Sequence, residues 1–296
     1  MKGDVGRRLP RDMNRSALKD LAARTLELLE LGRYDAQGLP VEIGPALAAA
    51  RAGTRVYTPA RLRRLLDQPG PAGDPARLEV SAETTQVAAQ GLAAAGHDVA
   101  LLNFASARNP GGGFLSGSKA QEEDLARCSG LYPCLLEARA YYQANRAQRS
   151  PLYTDHAVYS PGVPFFRVRA EGELLADPFR AAVITSPAPN AGEVRRRGPK
   201  ERAALGETLR RRAGTVLALA RAHGHRALLL GAWGCGVFKN DPAQVADAFA
   251  GWLADPRFAG AFELVHFAVY DPSRQQRNLR AFQARFASGD RARPAG

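Results

Sequence analysis

Hydrophobic positions near the start of the 296-residue chain follow a helical spacing. Apolar residues three and four positions apart predict one amphipathic helix over residues 14–31, with Ser16 as its N-cap. Residues 68–75, which are rich in proline and glycine, then interrupt the pattern. Residues 1–75 are therefore predicted to form a mainly helical accessory segment. Shorter elements are predicted within it at residues 41–43 (extended), at residues 55–57 (strand) and from Thr58 onwards (helix).

From about residue 76 onwards, short apolar runs alternate with stretches of helical spacing. Strands are predicted at residues 78–80, 99–104, 157–159, 165–168, 181–185, 227–230 and 263–269. Helices are predicted at residues 84–95, 120–146, 200–223, 242–253 and 274–286. The nearly continuous apolar run at residues 99–104 is typical of a strand buried on both faces. The alternation predicts an α/β domain over residues 76–290, with a mixed or parallel sheet between helices, and a disordered tail at residues 291–296.

Two glycine-rich loops follow the two most apolar strands. The first contains Gly111, Gly112 and Gly113, and the second, at residues 231–240, contains three further glycines just before a predicted helix. In such sheets ligands bind at the carboxyl ends of the strands, and backbone N–H groups at a helix N-terminus hold phosphate well. The sequence therefore predicts a ligand that carries phosphate.

Neither loop has the spacing of a common nucleotide motif. Gly113 is not followed by the Gly-Lys-Ser/Thr of a P-loop, and Asn240 stands where a dinucleotide fingerprint needs a third small residue. Kinase and Rossmann oxidoreductase functions are therefore disfavoured. Glu122 and Glu123, which follow the first loop, suit either the first turn of a helix or acid/base chemistry. Since adjacent helical residues point about 100° apart, we expect separate roles for them.

Charge and composition narrow the class of partner. A net charge of +12, from 41 Lys and Arg against 29 Asp and Glu, favours a polyanionic ligand. Arginine is abundant throughout, which weakens the inference to nucleic acid, and the runs at residues 195–197 and 210–212 are expected to face solvent. His223 and His225 are expected to be exposed, and the three cysteines show no metal-site spacing. Because no signal peptide or membrane span is visible, we expect a cytoplasmic protein.

The order of residues around the first loop resembles that of a known family. Asn103-Phe104-Ala105-Ser106, then the triple glycine, then Gln121-Glu122-Glu123 after a seven-residue spacer resembles the signature of bacterial-type poly(ADP-ribose) glycohydrolases. The second loop resembles the diphosphate loop of their macrodomain fold. The resemblance covers roughly residues 76–290, and the preceding segment is similar to the accessory extension of the bacterial-type proteins. It implies a three-layer α/β/α macrodomain.

The resemblance also implies roles for individual residues. Glu123 would be the catalytic acid/base, Glu122 would bind ribose hydroxyls, and Gln121 would support the turn. The implied ribose contacts are Ala105, Ser106, Asn109, Gly112 and Gly113. The implied diphosphate contacts are Gly234, Cys235, Gly236, Val237 and Phe238, with the Phe238 ring as a stacking platform. Adenine contacts are Glu83 and Thr84 or Tyr270 and Asp271, for which helix capping and strand ending are equally good interpretations.

The implied activity is hydrolysis of the ribose–ribose bond of poly(ADP-ribose), with no cofactor and no metal. Its partners would be poly(ADP-ribose), ADP-ribose and ADP-ribosylated proteins, and not membranes or nucleic acid. If the accessory segment closes the ribose pocket, cleavage would be confined to chain ends. A macrodomain that binds ADP-ribose or removes single units from proteins, and a basic nucleic-acid-binding protein, are the competing hypotheses. The Gln-Glu-Glu triplet is the feature that favours the glycohydrolase.

Overall fold

The computed structural model describes residues 13–286, and in this part of the chain nine strands and eleven α-helices follow one another. The strands are β1 (Arg33–Ala36), β2 (Leu39–Glu42), β3 (Arg55–Tyr57), β4 (Arg77–Ser81), β5 (Val99–Phe104), β6 (Ala157–Phe165), β7 (Phe179–Ser186), β8 (Ala227–Leu230) and β9 (Leu264–Ala268). The helices are α1 (Arg15–Leu31), α2 (Gly44–Gly53), α3 (Pro59–Asp67), α4 (Thr85–Ala94), α5 (Gln121–Cys128), α6 (Leu131–Glu137), α7 (Arg139–Ala147), α8 (Ala191–Val194), α9 (Pro199–Ala222), α10 (Pro242–Leu253) and α11 (Arg277–Phe286). The predicted tail at residues 291–296 lies outside the described residues.

Seven strands form one mixed sheet in the order β3-β6-β7-β5-β8-β9-β4. Strands β7, β5, β8, β9 and β4 run parallel to one another, whereas β6 is antiparallel to both of its neighbours. Strands β1 and β2 form a separate antiparallel hairpin. The predicted mixed sheet is therefore confirmed.

Helices cover both faces of this sheet. Along the fully buried β5, Val99 and Leu101 belong to one hydrophobic cluster, whereas Ala100 and Leu102 belong to another on the opposite face. The first cluster includes residues of α4, α5, α6 and α7, and the second includes residues of α3, α9, α10 and α11. The alternation of β5 side chains between two apolar layers confirms the predicted three-layer α/β/α fold.

The predicted helix at residues 120–146 is wrong, because three helices occupy that range. The first break falls at Ser129 and Gly130, where Ser129 takes an extended conformation and forms a β-bridge with Phe165. The Gly130 N–H donates to the Pro164 carbonyl at 2.9 Å, and a Cβ on Gly130 would lie 2.7 Å from Leu47. Pairing with β6 and packing against α2 therefore replace the helical hydrogen bonds there.

Other predictions also need correction. Asn14 caps α1 by accepting from the Ala17 N–H at 2.9 Å, so Ser16 is not the N-cap. The predicted strand at residues 157–159 continues to Phe165 as β6, whose pairing with β7 shifts register between Ser160 and Val163, whereas residues 166–168 of the other predicted piece are not in a strand. Strand β1 and helices α2 and α8 carry too few periodic apolar residues to have been predicted.

Two expectations about surface side chains are wrong for one residue each, His225 and Arg212. His225 is buried, and its ring nitrogen lies 2.7 Å from the Tyr159 hydroxyl, while His223 is 2.8 Å from the Tyr57 hydroxyl. In the arginine run at residues 210–212, the last residue, Arg212, is only 1% exposed. His225 and Arg212 therefore bind neighbouring elements rather than solvent, whereas His223 and Arg210 are exposed as expected.

The accessory segment contributes directly to the sheet. Strand β3 pairs with β6 at the sheet edge, and α3 packs on α9, although both elements precede residue 76. The division of the chain at residue 75 stays a prediction. Within residues 13–286, every helix is too short or too polar to span a bilayer.

Candidate active site

The two glycine loops lie side by side at the carboxyl ends of the strands, because they follow the adjacent parallel strands β5 and β8. One backbone atom joins them: the Ser186 carbonyl, at the end of β7, accepts from the Ala105 N–H at 3.4 Å and from the Trp233 indole at 3.0 Å. The Phe104 ring also touches the start of the second loop, since a Cβ on Gly231 would lie 3.0 Å from its Cζ. The structure thus brings the predicted ribose and diphosphate loops together.

Gln121 ties the start of α5 to the end of β5. Its Oε1 accepts from the Phe104 N–H at 2.8 Å, and its Nε2 donates to the Leu102 carbonyl at 2.8 Å and to the Thr85 hydroxyl at 3.2 Å. The amide therefore binds the β5 backbone as a neighbouring strand would. In this structure Gln121 orients the helix that carries the two glutamates.

Glu122 is buried and held by the first loop. Its Oε2 accepts from the Ser106 N–H at 2.6 Å, and its Oε1 accepts from the Asn103 amide at 3.3 Å. The Asn103 amide also lies 3.2 Å from the Thr185 hydroxyl. Burial raises the pKa of Glu122 to about 8, because the ionised carboxylate loses its hydration, and the nearby Glu123 adds to this effect. The two hydrogen bonds oppose the shift only in part.

Glu123 is 7% exposed and uses its two oxygens differently. Oε1 accepts from the Gly113 N–H at 2.7 Å. Oε2 is buried and has no hydrogen-bond partner among the described residues. Gly112, with φ +58°, is the loop residue that lies against both acids. A Cβ added to it would lie 2.5 Å from Glu123 Oε1 and 3.0 Å from Glu122 Oε2. Both carboxylates therefore converge on Gly112, although their side chains leave α5 in different directions.

Helix α1 and a buried arginine brace the outer side of the first loop. Arg15 Nε donates to the Ser116 carbonyl at 2.8 Å. Arg127, four residues after Glu123 on α5, donates from Nη2 to the Ser118 carbonyl at 2.6 Å. The carbonyl of Arg127 in turn accepts from the Thr25 hydroxyl of α1 at 3.4 Å. The two contacts from α1 could not be predicted from the sequence, because they join residues 101 and 102 positions apart.

The second loop is anchored at its ends and open at its tip. Asn240 Nδ2 donates to the carbonyls of Gly234 at 3.1 Å and Pro189 at 2.9 Å. Gly236 is exposed, and a Cβ added to it would have no heavy atom within 4 Å, while Val237 is 75% exposed. Burial raises the pKa of the Cys235 thiol to about 12, so this thiol stays protonated at neutral pH and is a poor nucleophile.

The remaining predicted residues occupy defined structural positions. Asn109 is exposed, and its N–H donates to the Ser106 hydroxyl at 3.1 Å. Thr84 caps α4, as its structural interpretation predicts, and Asp271, which follows β9, accepts from the N–H groups of Ser273 and of Asn278 in α11. The other two adenine candidates, Glu83 and Tyr270, follow the adjacent parallel strands β4 and β9, and Tyr270 is 47% exposed.

A three-layer α/β fold with two glycine loops and a pair of buried glutamates at one sheet edge defines a macrodomain-like protein with a carboxylate site. A sequence model described as the microbial-type PARG catalytic domain matches residues 22–168, which include both glutamates. No curated protein matches the chain.

Solved structures give extensive matches. The poly(ADP-ribose) glycohydrolase of Thermomonospora curvata is 52% identical, with 92% of this chain and 100% of that chain covered and a TM-score of 0.87. Its complex with the inhibitor ADP-HPD gives 51% identity, the same coverage and a TM-score of 0.85. The Deinococcus radiodurans enzyme in complex with ADP-ribose is 48% identical, with 82% of this chain and 98% of that chain covered and a TM-score of 0.77. The chain belongs to the microbial-type poly(ADP-ribose) glycohydrolase family, a family of glycosidases, which confirms the resemblance seen in the sequence.

Proposed function

We propose that this protein hydrolyses the ribose–ribose O-glycosidic bond of poly(ADP-ribose) and releases ADP-ribose. The observation that carries the proposal is Glu123, a buried acid beside the first glycine loop with one oxygen on the Gly113 N–H and the other without a partner among the described residues. A buried, unpartnered carboxyl oxygen favours an additional hydrogen-bonding group from a substrate. The ADP-HPD and ADP-ribose complexes of the two relatives support the same ligand class.

Glu123 is proposed as the general acid and base. The leaving group is a sugar hydroxyl, which needs a proton as the bond breaks, and Glu123 Oε2 would donate it. The anomeric carbon then gains oxocarbenium character, and the ionised Glu123 would activate the water that attacks it. The Gly113 N–H, already bonded to Oε1, would stabilise the carboxylate in that second step.

Glu122 is proposed to bind the ribose hydroxyls beside the scissile bond. Because the Ser106 N–H and the Asn103 amide fix its carboxyl group, it can orient the sugar without moving. The pKa of Glu122, raised to about 8 by burial, means that Glu122 is largely neutral at neutral pH, so that its hydroxyl can donate a hydrogen bond to the sugar.

The diphosphate is proposed to bind the backbone N–H groups of the second loop at residues 234–238, and the adenine to lie toward Glu83, Thr84, Tyr270 and Asp271. Phe238 would cover the ligand near the diphosphate and the reactive ribose. The ribose is proposed to contact Ala105, Ser106, Asn109, Gly112 and Gly113. Two glycine loops at adjacent strand ends, joined through the Ser186 carbonyl, support this arrangement.

Cleavage is further proposed to occur at chain ends. Helix α1 contacts the glycine loop through Arg15 and α5 through Thr25, and this supports an accessory wall beside the ribose site. Exo action predicts that ADP-ribose is the main early product when labelled poly(ADP-ribose) is digested and the products are separated by length. Oligomers that accumulate early would show internal cleavage instead.

The catalytic assignment is tested with Glu123→Gln and, as a matched control, Glu30→Gln at an exposed position of α1. Loss of a general acid/base predicts a fall of about 100- to 10,000-fold in ADP-ribose release for Glu123→Gln alone. Calorimetry should show ADP-ribose binding within a few-fold of wild type, which separates chemistry from binding. Retained turnover would contradict the role of Glu123. Wild-type protein that binds ADP-ribose without releasing any from the polymer would indicate an ADP-ribose reader.

A further inference from the structure

The loop before β6 holds one residue in an unfavourable backbone conformation. Tyr153 has φ +59°, in the left-handed region that residues with a Cβ seldom adopt. Such a conformation persists only where the surrounding structure imposes it, and it is common beside functional sites.

A buried arginine holds this loop. Arg212 of α9 donates from Nη2 to the carbonyls of Leu152 at 2.5 Å and Tyr153 at 3.0 Å. Its Nη1 donates to the Pro187 carbonyl at 2.9 Å, and its Nε donates to Asp155 at 2.7 Å. One guanidinium group thus joins the loop before β6 to the residue that follows β7.

A second group of bonds fixes the same loop from the opposite side. Asn145 of α7, which is fully buried, accepts at Oδ1 from the N–H and the hydroxyl of Thr154, both at 2.9 Å. The Asn190 N–H donates to the Pro151 carbonyl at 2.9 Å. With Arg212, these bonds leave the Tyr153 backbone little freedom, because the residues on both of its sides are tied to other elements.

The Tyr153 side chain reaches the second glycine loop. Its ring centroid lies 5.9 Å from that of Phe238, at an interplanar angle of 43°. This separation is in the range of favourable aromatic pairs. The backbone carbonyl of Phe238 is held as well, since it accepts from the Gly192 N–H at 2.9 Å. Phe238 is the half-buried aromatic residue beside the exposed Val237 at the open tip of the loop.

We propose that Tyr153 is a positioning residue for ADP-ribose, whose ring holds the Phe238 ring in the orientation that covers the ligand. Arg212 takes part by holding the left-handed backbone that directs the Tyr153 ring toward Phe238. This inference rests on the proposed function, because it takes ADP-ribose as the ligand of the second loop. It assigns a binding role to a loop that lies outside both glycine-rich loops.

The test uses the full chain with Tyr153→Phe, Tyr153→Ala and Tyr153→Gly, and measures ADP-ribose affinity by calorimetry together with KM and kcat on poly(ADP-ribose). In the Ala and Gly variants, which lose the aromatic pair, the affinity for ADP-ribose should be roughly 3- to 10-fold weaker. KM should rise by the same factor, and kcat should change little. Tyr153→Phe keeps the ring and should behave as wild type. In a Phe238→Ala background, Tyr153→Ala should have no further effect.

The Gly variant separates the ring from the backbone, because glycine adopts a positive φ without strain. Equal losses in the Ala and Gly variants support the proposal, whereas a loss in the Ala variant alone would overturn it by assigning the effect to the backbone. Wild-type affinity for ADP-ribose in both variants would also overturn the proposal about Tyr153. In either case the proposed function would stand as long as the wild-type protein hydrolyses the polymer. Wild-type protein that neither binds ADP-ribose nor releases it would overturn both.

Discussion

Gly112→Ala tests whether the close approach of the glycine loop to both carboxylates is needed for activity. The added Cβ would lie 2.5 Å from Glu123 Oε1 and 3.0 Å from Glu122 Oε2. Ordinary van der Waals contact begins at 3.4 Å, so the Glu123 carboxylate has to move by about 1 Å. This movement strains its hydrogen bond to the Gly113 N–H.

Two costs combine in this variant and can be separated with a control. A residue with a Cβ at φ +58° costs about 1–2 kcal/mol in stability. Gly96→Ala introduces a similar backbone cost at φ +86°, but no heavy atom lies within 4 Å of its added Cβ, and the residue is outside the site. Both variants should therefore unfold a few degrees below wild type, at roughly 2–4 °C per kcal/mol.

Activity should distinguish the two alanine variants. A shift of about 1 Å in a reacting group can reduce turnover by about 100-fold, so Gly112→Ala should lose polymer hydrolysis by about that factor. Gly96→Ala should keep wild-type turnover. The measurements are ADP-ribose release at saturating polymer and thermal unfolding of each variant. Near-normal turnover by a folded Gly112→Ala protein would refute the argument that the carboxylates depend on this approach.

Two further predictions concern stability. The pKa of Glu122 rises from 4.5 to about 8 on folding, so the folded protein binds more protons in that range, and stability should fall as pH rises through it. Thermal unfolding of Glu122→Gln should lack this slope, and parallel curves for the two proteins would contradict it. Arg212→Met should destabilise by about 3 kcal/mol in denaturant titrations, because it removes one of the two arginine partners of Asp155 and the donor to the carbonyls of residues 152, 153 and 187. A loss below about 1 kcal/mol would show that water replaces the guanidinium group.

The sequence was most informative where local pattern and tertiary packing agree. Strands β3, β5 and β8 and helix α10 have the predicted bounds, because apolar runs and the proline that begins α10 mark them locally. The break at Gly130 could not be predicted, since it depends on Leu47 and Pro164, which are distant in the chain. Strand β6 was divided in the prediction because Pro161, Gly162 and Pro164 normally interrupt strands, whereas here they accompany a register shift.

The site shows the same division between local and distant information. The two glycine loops and the Gln-Glu-Glu triplet could be found because each is a continuous motif. Arg212 could not be distinguished from its exposed neighbour Arg210 by sequence, because its burial depends on carbonyl groups from two other loops. Thr25 was missed for the same reason, because its contact with the Arg127 carbonyl joins distant parts of the chain. Functional roles of the predicted residues remain predictions that the variants above are designed to test.

The bracing of the glycine loop by α1 bears on how small an active fragment of this protein can be. The loop that carries Gly112 and Gly113 depends on Arg15 for one contact, and the helix that carries Glu123 is linked to Thr25 by another. Both residues lie far before residue 76, where the regular α/β pattern begins. A fragment cut at that point would retain the glycine motifs and lose contacts that hold them in place. A fragment that keeps these contacts must therefore include α1, even though α1 carries none of the predicted substrate-binding residues.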